Sequence, residues 1–150
     1  MIMLRKLSEF KVCHQDLLHI YILYIRSVVE QSCVVWGSAI TEQEIRDIER
    51  IQKTAFRIIF QEKYISYENA LNLSKLPSLS DRRSKLMLNF ALKCVKNTRT
   101  ACMFPKNEVR STRHTEEFSV PFARTERYKK SAIPAMARLL NENVKTNQQR

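Results

Sequence analysis

Apolar residues recur at helical spacing in several stretches of the chain. In the first, which begins at Asp16 and continues towards Trp36, they surround the helix instead of lining one side, so we expect this helix to be buried on most faces. We expect it to stop at Gly37, because glycine readily takes the left-handed conformation that closes a helix. The alternative for residues 33–35 is a short strand, since this run is rich in β-branched side chains.

A second helix is predicted after Thr41. Thr41 and Glu44 have the spacing of a capping box, in which the hydroxyl and the carboxylate each satisfy a backbone amide at a helix start. Six residues then follow the helical period on one face: Ile45, Ile48, Gln52, Ala55, Phe56 and Ile59.

Another face of this helix carries a basic ridge, which consists of Arg46, Arg50, Lys53 and Arg57. The ridge is either a rail for phosphates or an ordinary solvated face. Glu42 and Glu49 precede Arg46 and Lys53 by four residues and can pair with them, which favours the solvated face.

In the rest of the chain, the pattern of residues predicts two short helices and one long helix. A short helix runs from Tyr67 to Leu73, and Ser78, with Asp81 three residues later, caps a helix that continues to about Asn97. No sustained period follows until a final helix, from about residue 132 to residue 141. We expect the last six residues, "KTNQQR", to be disordered.

The fold class that these elements indicate is all-α. One glycine in 150 residues leaves little material for tight hairpins, and 44% hydrophobic residues suffice for a sizeable core. We predict an irregular bundle of about five helices with an extended basic connector before the last one. The regions are a helical part, residues 1–97, the connector, residues 98–130, and the terminal helix with its tail, residues 131–150.

The positive charge is concentrated in the second half of the chain. The formal net charge is +11, yet residues 1–60 hold 8 basic and 7 acidic side chains, whereas residues 93–150 hold 13 and 5. The stretch "ARTERYKKS" places four cations, one acid and one aromatic ring in nine positions. Such asymmetry indicates a polyanionic partner, because neutralising phosphates releases counterions. A basic solubilising surface is the plainer alternative.

The sequence contains little that indicates a catalytic site. The three aspartates, Asp16, Asp47 and Asp81, lie singly on predicted helices, so they cannot form a two-metal centre. The three histidines, His14, His19 and His114, offer no pair at zinc spacing, and the single glycine excludes phosphate-binding loops. We predict a protein that is not an enzyme and that uses no metal and no cofactor.

The cysteines and the apolar runs indicate the cellular compartment of the protein. No CxxC pair and no secretory leader accompany the four cysteines, which fits reduced thiols in the cytoplasm or the nucleus. Cys33 and Cys94 are better explained as core residues than as nucleophiles. The most apolar stretch is interrupted by charged and polar residues, so we expect no membrane span.

Four segments, in order, are similar to a known family. "LLHIYILYIRSVVEQSCVVWG", "DIERIQKTAFRII", "LPSLSDRRSKLMLNFALKC" and "ARTERYKKSAIPAMARLLN" resemble the region after the fingers and palm in reverse transcriptases of non-LTR retrotransposons, of the jockey-like type. The family pattern "IYxxYIRPVLEYAxxVW" is matched at nine positions: Ile20, Tyr21, Tyr24, Ile25, Arg26, Val28, Glu30, Val35 and Trp36. Ser27 replaces the usual proline and Gln31 the usual tyrosine.

The resemblance implies a role that composition does not show. It implies that residues 1–97 form thumb-like helices, that the chain helps to hold template RNA and nascent DNA, and that the polymerase aspartates belong to a missing palm. The chain would then be a carboxy-terminal fragment of an RNA-directed DNA polymerase.

Two hypotheses about function result. In the first, Arg124, Arg127, Lys129 and Lys130 contact phosphates of RNA or single-stranded DNA, and Tyr128 either stacks on a base or packs the last helix. Two further residues, Arg82 and Arg83, are secondary candidates, with a solvated helix start as the alternative. In the second hypothesis the chain is a helical protein-interaction module with no nucleic-acid role.

Overall fold

The computed structural model describes residues 1–107 and 116–148. The described residues confirm the all-α class: they contain no strand, and one isolated antiparallel bridge joins Lys106 to Phe118. The α-helical segments are α1 (Ile2–Glu9), α2 (His14–Ile20), α3 (Ser27–Glu30), α4 (Cys33–Trp36), α5 (Glu42–Phe60), α6 (Tyr67–Ser74), α7 (Leu79–Lys96), α8 (Glu126–Lys129) and α9 (Ala132–Gln148).

The number of helices is higher than predicted. A π-helical turn, Tyr21–Arg26, joins α2 to α3, so residues 14–30 form one continuous helix and the described residues contain eight helices instead of about five. The additional ones are short, apart from α1, whose amphipathic pattern sequence reasoning missed. Two 3₁₀ turns, Gln61–Lys63 and Ala101–Met103, complete the regular structure.

The chain forms two compact units. Unit 1 comprises residues 1–31 and 41–82, and unit 2 comprises residues 32–40 and 83–150. Each has its own apolar core. The core of unit 1 gathers one side of α1, α2, the π-helical turn, α5 and α6, and its fully or almost fully buried members are Leu4, Leu17, Tyr21, Ala55, Phe56, Ile59, Phe60 and Ala70.

The helix that was predicted to reach Trp36 ends earlier. It ends at Glu30, and Ser32 takes the left-handed conformation with φ of 53°. Gly37 is right-handed, with φ of −61°, so the prediction that it closes the helix is wrong. The strand alternative for residues 33–35 is also wrong, since they belong to α4.

Glycine at position 37 has a different explanation. Its N–H donates to the Cys33 carbonyl oxygen at 2.8 Å, and a Cβ atom built there would lie 2.5 Å from that same oxygen. Side chains are therefore excluded by the close approach of the backbone, and not by the sign of φ.

The two predicted helix starts that depend on caps, after Thr41 and after Ser78, are confirmed, whereas the first helix begins at His14 and not at Asp16. Thr41 and Glu44 form the reciprocal capping box, with the Thr41 N–H donating to the Glu44 carboxylate at 2.7 Å. The Ser78 hydroxyl accepts the Asp81 N–H at 3.1 Å and donates to the Asp81 carboxylate at 2.7 Å. These short-range caps depend on residues three apart, which is why the sequence alone reveals them.

The core of unit 2 is built by α7, α9 and two buried phenylalanines from the predicted connector, Phe104 and Phe118. Asn141, which was predicted to end the final helix, lies within α9 instead, and the helix continues to Gln148. Residues 145–148 of the predicted disordered tail are therefore helical; residues 149–150, and residues 108–115 of the connector with His114, lie outside the described residues.

Asn141 instead fixes the connector backbone. Its amide accepts the Phe118 N–H at 2.9 Å and donates to the Phe118 carbonyl at 2.9 Å, with only 3% of the residue exposed. One side chain thus satisfies both backbone groups of a buried residue.

Candidate nucleic-acid interface

The basic segment, which we define as residues 122–130, is ordered by a cap and a short helix. Thr125 is extended and its hydroxyl accepts the Tyr128 N–H at 3.3 Å, which starts α8. The Ser131 hydroxyl donates to the Tyr128 carbonyl at 2.7 Å. On α9, the Arg138 guanidinium donates to the Lys129 carbonyl at 2.6 Å and so anchors the segment to that helix.

The predicted contact residues of the segment all reach solvent. Arg124, Arg127, Lys129 and Lys130 are exposed, and Tyr128 is 45% exposed. Among the residues that the structure describes, only Lys129 of these four cations forms an ion pair, with Glu126 at 3.3 Å. That pair is itself exposed and is worth little. The segment therefore presents cations whose charge is not neutralised internally.

Phe122 is a member of this surface that sequence reasoning missed. It is 89% exposed and lies two residues before Arg124. A fully exposed phenylalanine beside cations is a stacking surface for a base, because every base has a π-face. The only sequence signal was an aromatic residue directly after Pro121, where the chain has no helical period.

Arg82 is held by an ion pair inside unit 1. Its Nε lies 3.2 Å from Oε1 of Glu30, and the same carboxylate pairs with Arg26 at 2.9 Å. The Glu30 side chain is only 13% exposed. Arg82 thus links α7 to the helix of residues 14–30. The sequence predicted either a nucleic-acid contact or a solvated helix start for this residue, and neither prediction included the ion pair.

Arg83 belongs to unit 2 and is 5% exposed. It precedes Met87 by four residues on the face of α7 that enters the core. Its Nη1 is buried and has no hydrogen-bond partner among the described residues. A side chain so enclosed is not presented to a polymer, and Arg82 is held by Glu30, so neither arginine belongs to the candidate interface.

The basic ridge of α5 has local partners. Arg46 donates to the Gln43 side-chain oxygen at 2.9 Å, and Arg50 pairs with Asp47 at 3.3 Å. Lys53 lies 5.0 Å from the centre of the Tyr67 ring, and Arg57 lies 5.6 Å from the centre of the Tyr64 ring. These contacts agree with an ordinary structural face, although the partners differ from the predicted Glu42 and Glu49.

Glu49 is half-buried and joins helices within unit 1. Its carboxylate accepts the Tyr67 hydroxyl at 2.6 Å and the Ser80 N–H at 2.7 Å, and so joins α5 to α6 and α7. Burial, together with the hydrogen bond to Glu49, raises the pKa of Tyr67 well above its usual range. The same hydroxyl lies 3.1 Å from the side-chain oxygen of the buried Gln52.

Three other features of the described residues bear on possible sites. No group of three His, Cys, Asp or Glu side chains there is arranged to hold a metal ion. Cys33 and Cys94 are buried, as predicted, and Cys13 is exposed. A cavity of about 220 Å³ in unit 1 is lined by Ser8, Lys11, Val12, Cys13, His14, Leu17, Ile59 and Gln61.

Residues 1–107 and 116–148 contain no helix that combines the length and the apolar character needed to cross a membrane. No protein-family model matches the sequence, and neither a curated protein nor a solved structure matches it significantly. The similarity of the four segments to non-LTR reverse transcriptases therefore stays a prediction, as does the absence of catalysis.

Proposed function

We propose that the protein binds single-stranded nucleic acid, without catalysis, through the basic segment. The observation that carries the proposal is a segment, anchored to α9, in which two exposed aromatic rings, Phe122 and Tyr128, are interspersed along the chain with four exposed cations. The cations would contact phosphates and give affinity that depends on salt, and the rings would stack on bases. Single strands are favoured because a duplex hides the faces of its bases.

The resemblance supports the same function and adds an origin. In this proposal the chain is a carboxy-terminal fragment of a retrotransposon reverse transcriptase, and its basic segment once held template RNA or nascent DNA beside the palm and fingers. An open reading frame for a palm directly upstream of the coding sequence would support this origin. A frame for an unrelated protein there would contradict it.

The test is a salt titration of binding to labelled single-stranded RNA and DNA. Four phosphate contacts on a single strand predict that log affinity falls with log salt with a slope of about −3. Replacing Arg124, Arg127, Lys129 and Lys130 together with glutamine should flatten most of that slope. Phe122→Ala with Tyr128→Ala should weaken binding about tenfold or more and leave the slope unchanged, because stacking carries no net charge.

A matched control removes the same charge from unit 1. Glutamine at Arg46, Arg50, Lys53 and Arg57 takes away four cations that have local partners, so the slope should stay close to that of the original protein. Equal flattening in both variants would show that only net charge matters and would contradict a site at the basic segment. Circular dichroism checks that each variant is folded.

A second candidate function is supported by an exposed apolar surface in unit 1. Leu23, Tyr24 and Val28, on the helix of residues 14–30, are 65%, 65% and 68% exposed. Exposed apolar clusters mark protein interaction sites. If this surface binds a protein partner, association should be almost insensitive to salt and should be lost in Leu23→Ser with Val28→Ser, whereas nucleic-acid binding should be unaffected.

A further inference from the structure

The cavity of unit 1 lies where the ends of α1 and α5 meet the start of α2, and its volume is about 220 Å³. Its lining includes two buried apolar residues, Leu17 and Ile59, and three exposed residues, Lys11, Cys13 and His14. The cavity therefore reaches from solvent to the apolar core. Since a cavity of about 150 Å³ admits benzene, this one has room for a ring or a short alkyl chain that carries one polar group.

The polar side chains of the lining favour a ligand with negative charge. Lys11 contributes an exposed ammonium group, and none of the ion pairs among the described residues includes it. No carboxylate is among the described residues that line the cavity. The imidazole of His14, stacked on Phe60 with 6.5 Å between the ring centres, adds a second group that can donate a hydrogen bond.

Two other polar members of the lining are already bonded within the protein. The Gln61 amide donates to the Ser8 hydroxyl, and that hydroxyl donates to the Ile58 carbonyl oxygen at 3.3 Å. These bonds join α1 to the end of α5 and so hold the wall of the cavity in place. The ammonium group of Lys11 remains as the main attraction for a ligand.

The backbone at the cavity is strained at two points. Lys11 has φ of 56°, and Gln61 has φ of 44° with ψ of −113°, which is outside the left-handed helical region. Strain of this kind persists only where the surrounding structure imposes it, and it is concentrated at sites that bind ligands. Of the four residues other than glycine that have positive φ in the described part of the chain, these two line the same cavity.

We propose that this cavity binds one small organic carboxylate, with its charged group at Lys11 and an aromatic or short aliphatic body against Leu17 and Ile59. The unpaired cation selects a negative charge, the apolar lining selects a hydrocarbon body, and the volume excludes larger anions such as nucleotides. The site belongs to unit 1, whereas the basic segment belongs to unit 2, so this inference does not depend on the proposed function.

Alkylation of cysteine tests the proposal, because Cys13 lines the cavity and is exposed. N-ethylmaleimide should modify Cys13 more slowly when sodium benzoate or sodium hexanoate occupies the cavity, and the slowing should saturate. Cys102, which is exposed in unit 2, is the internal control and should react at an unchanged rate. Peptide mass spectrometry measures both rates at constant ionic strength, with carboxylate up to about 50 mM, because ligands of so few atoms bind weakly.

A neutral ligand and two variants test the role of charge. Benzyl alcohol has a ring like that of benzoate but no charge, and it should protect Cys13 about tenfold less effectively. Lys11→Gln should raise the benzoate concentration needed for half protection about tenfold, because a charge-assisted hydrogen bond is lost. Lys63→Gln removes an exposed cation that does not line the cavity and should leave this concentration unchanged.

A further variant tests the volume. Val12→Phe adds atoms at a half-buried position of the lining and should abolish protection by both carboxylates, with circular dichroism as the check of folding. Absence of protection in the wild-type protein, or equal slowing at Cys13 and Cys102, would overturn the proposal. Equal protection by benzyl alcohol and benzoate, or unchanged protection in Lys11→Gln, would contradict a site for carboxylates.

Discussion

The two units have similar apolar interiors and very different electrostatics. Unit 1 carries 11 basic and 10 acidic side chains, a net charge of +1, whereas unit 2 carries 15 and 5, a net charge of +10. In unit 1, buried or half-buried acids join helices, as Glu30 does with Arg26 and Arg82. In unit 2, the acidic side chains are too few to neutralise the cations.

The comparison shows that basic residues have different roles in the two units. A cation with a partner inside its own unit contributes to the fold and has little attraction left for an external phosphate. The cations of the basic segment have almost no such partners, so their potential remains available for binding. Net charge alone would not separate these cases, because the ridge of α5 also has four cations.

The largest expected effect tests the internal ion pairs of unit 1. Glu30→Gln leaves Arg26 and Arg82 without their shared carboxylate and should cost about 3–5 kcal/mol of unfolding free energy. Glu126→Gln, which removes an exposed acid from unit 2, should cost less than about 0.5 kcal/mol. Urea unfolding followed by circular dichroism measures both. Similar losses in the two variants would contradict the contrast between the units.

Asn141 tests a buried polar side chain of unit 2 that has a structural role. Asn141→Ala leaves the N–H and the carbonyl of the buried Phe118 without partners and should cost about 2–4 kcal/mol. Asn147→Ala, on the exposed side of the same helix, is the control and should be nearly neutral. If Asn141→Ala were equally neutral, water would have to replace the hydrogen bonds between the Asn141 amide and Phe118, and the side chain would not be needed for stability.

Two tyrosines of unit 1, the buried Tyr21 and the half-buried Tyr67, provide a smaller and more selective test. Tyr67→Phe removes the hydroxyl that Glu49 accepts and should cost about 1–2 kcal/mol. Tyr21→Phe removes a buried hydroxyl that has no partner among the described residues, so it should be neutral or slightly stabilising. A loss in Tyr21→Phe as large as in Tyr67→Phe would indicate a bridging group at Tyr21.

The same tyrosines contribute to the loss of stability at alkaline pH. Burial raises the pKa of both above the unfolded value of about 10, so the folded protein keeps them protonated when the unfolded chain begins to ionise. Their contribution is complete below about pH 10 and declines as the pH rises further. Unfolding free energies measured from pH 8 to 11 should therefore fall less steeply in Tyr67→Phe than in wild type.

The smallest effect concerns the capping box of α5. Hydrogen bonds from the N–H and the hydroxyl of Thr41 hold the pKa of Glu44 below its usual value. The stabilisation is present above the unfolded pKa of about 4.3 and is lost as the pH falls through the lower folded value. Glu44→Gln should reduce the acid-side loss, whereas Glu42→Gln in the same first turn should retain it.

The sequence predicted the features that depend on near neighbours. The caps at Thr41 and Ser78, and the starts of α5 and α7, follow from residues three positions apart. The exposure of the four cations in the basic segment also agrees with the contact prediction, but the anchor from Arg138 to the Lys129 carbonyl was not foreseeable, since a side chain nine positions away carries no pattern.

Two of the predictions that failed, those for Asn141 and Glu49, involve partners far apart in sequence, and the one for Gly37 involves the local path of the backbone. Gly37 was expected to close a helix, yet the close approach of the Cys33 oxygen decides its identity. Asn141 was placed at a helix end because the apolar period stops near it, whereas its hydrogen-bond partner, Phe118, is 23 positions away. Glu49 has a basic residue four positions later and still pairs with Tyr67 and Ser80, because tertiary hydrogen bonds are shorter and better shielded than an exposed helical pair.

The π-helical turn at Tyr21–Arg26 makes this helix tolerant of a change in its length by one residue. A π-helical turn accommodates one residue more than the regular repeat. Deleting a single residue there, such as Leu23, would let the helix wind regularly and would leave the parts before and after it in nearly their present orientation. Glu30 would then still face Arg82, so a one-residue deletion at this point should harm the fold less than a deletion in a regular stretch of the helix, where everything after it would rotate by about 100°.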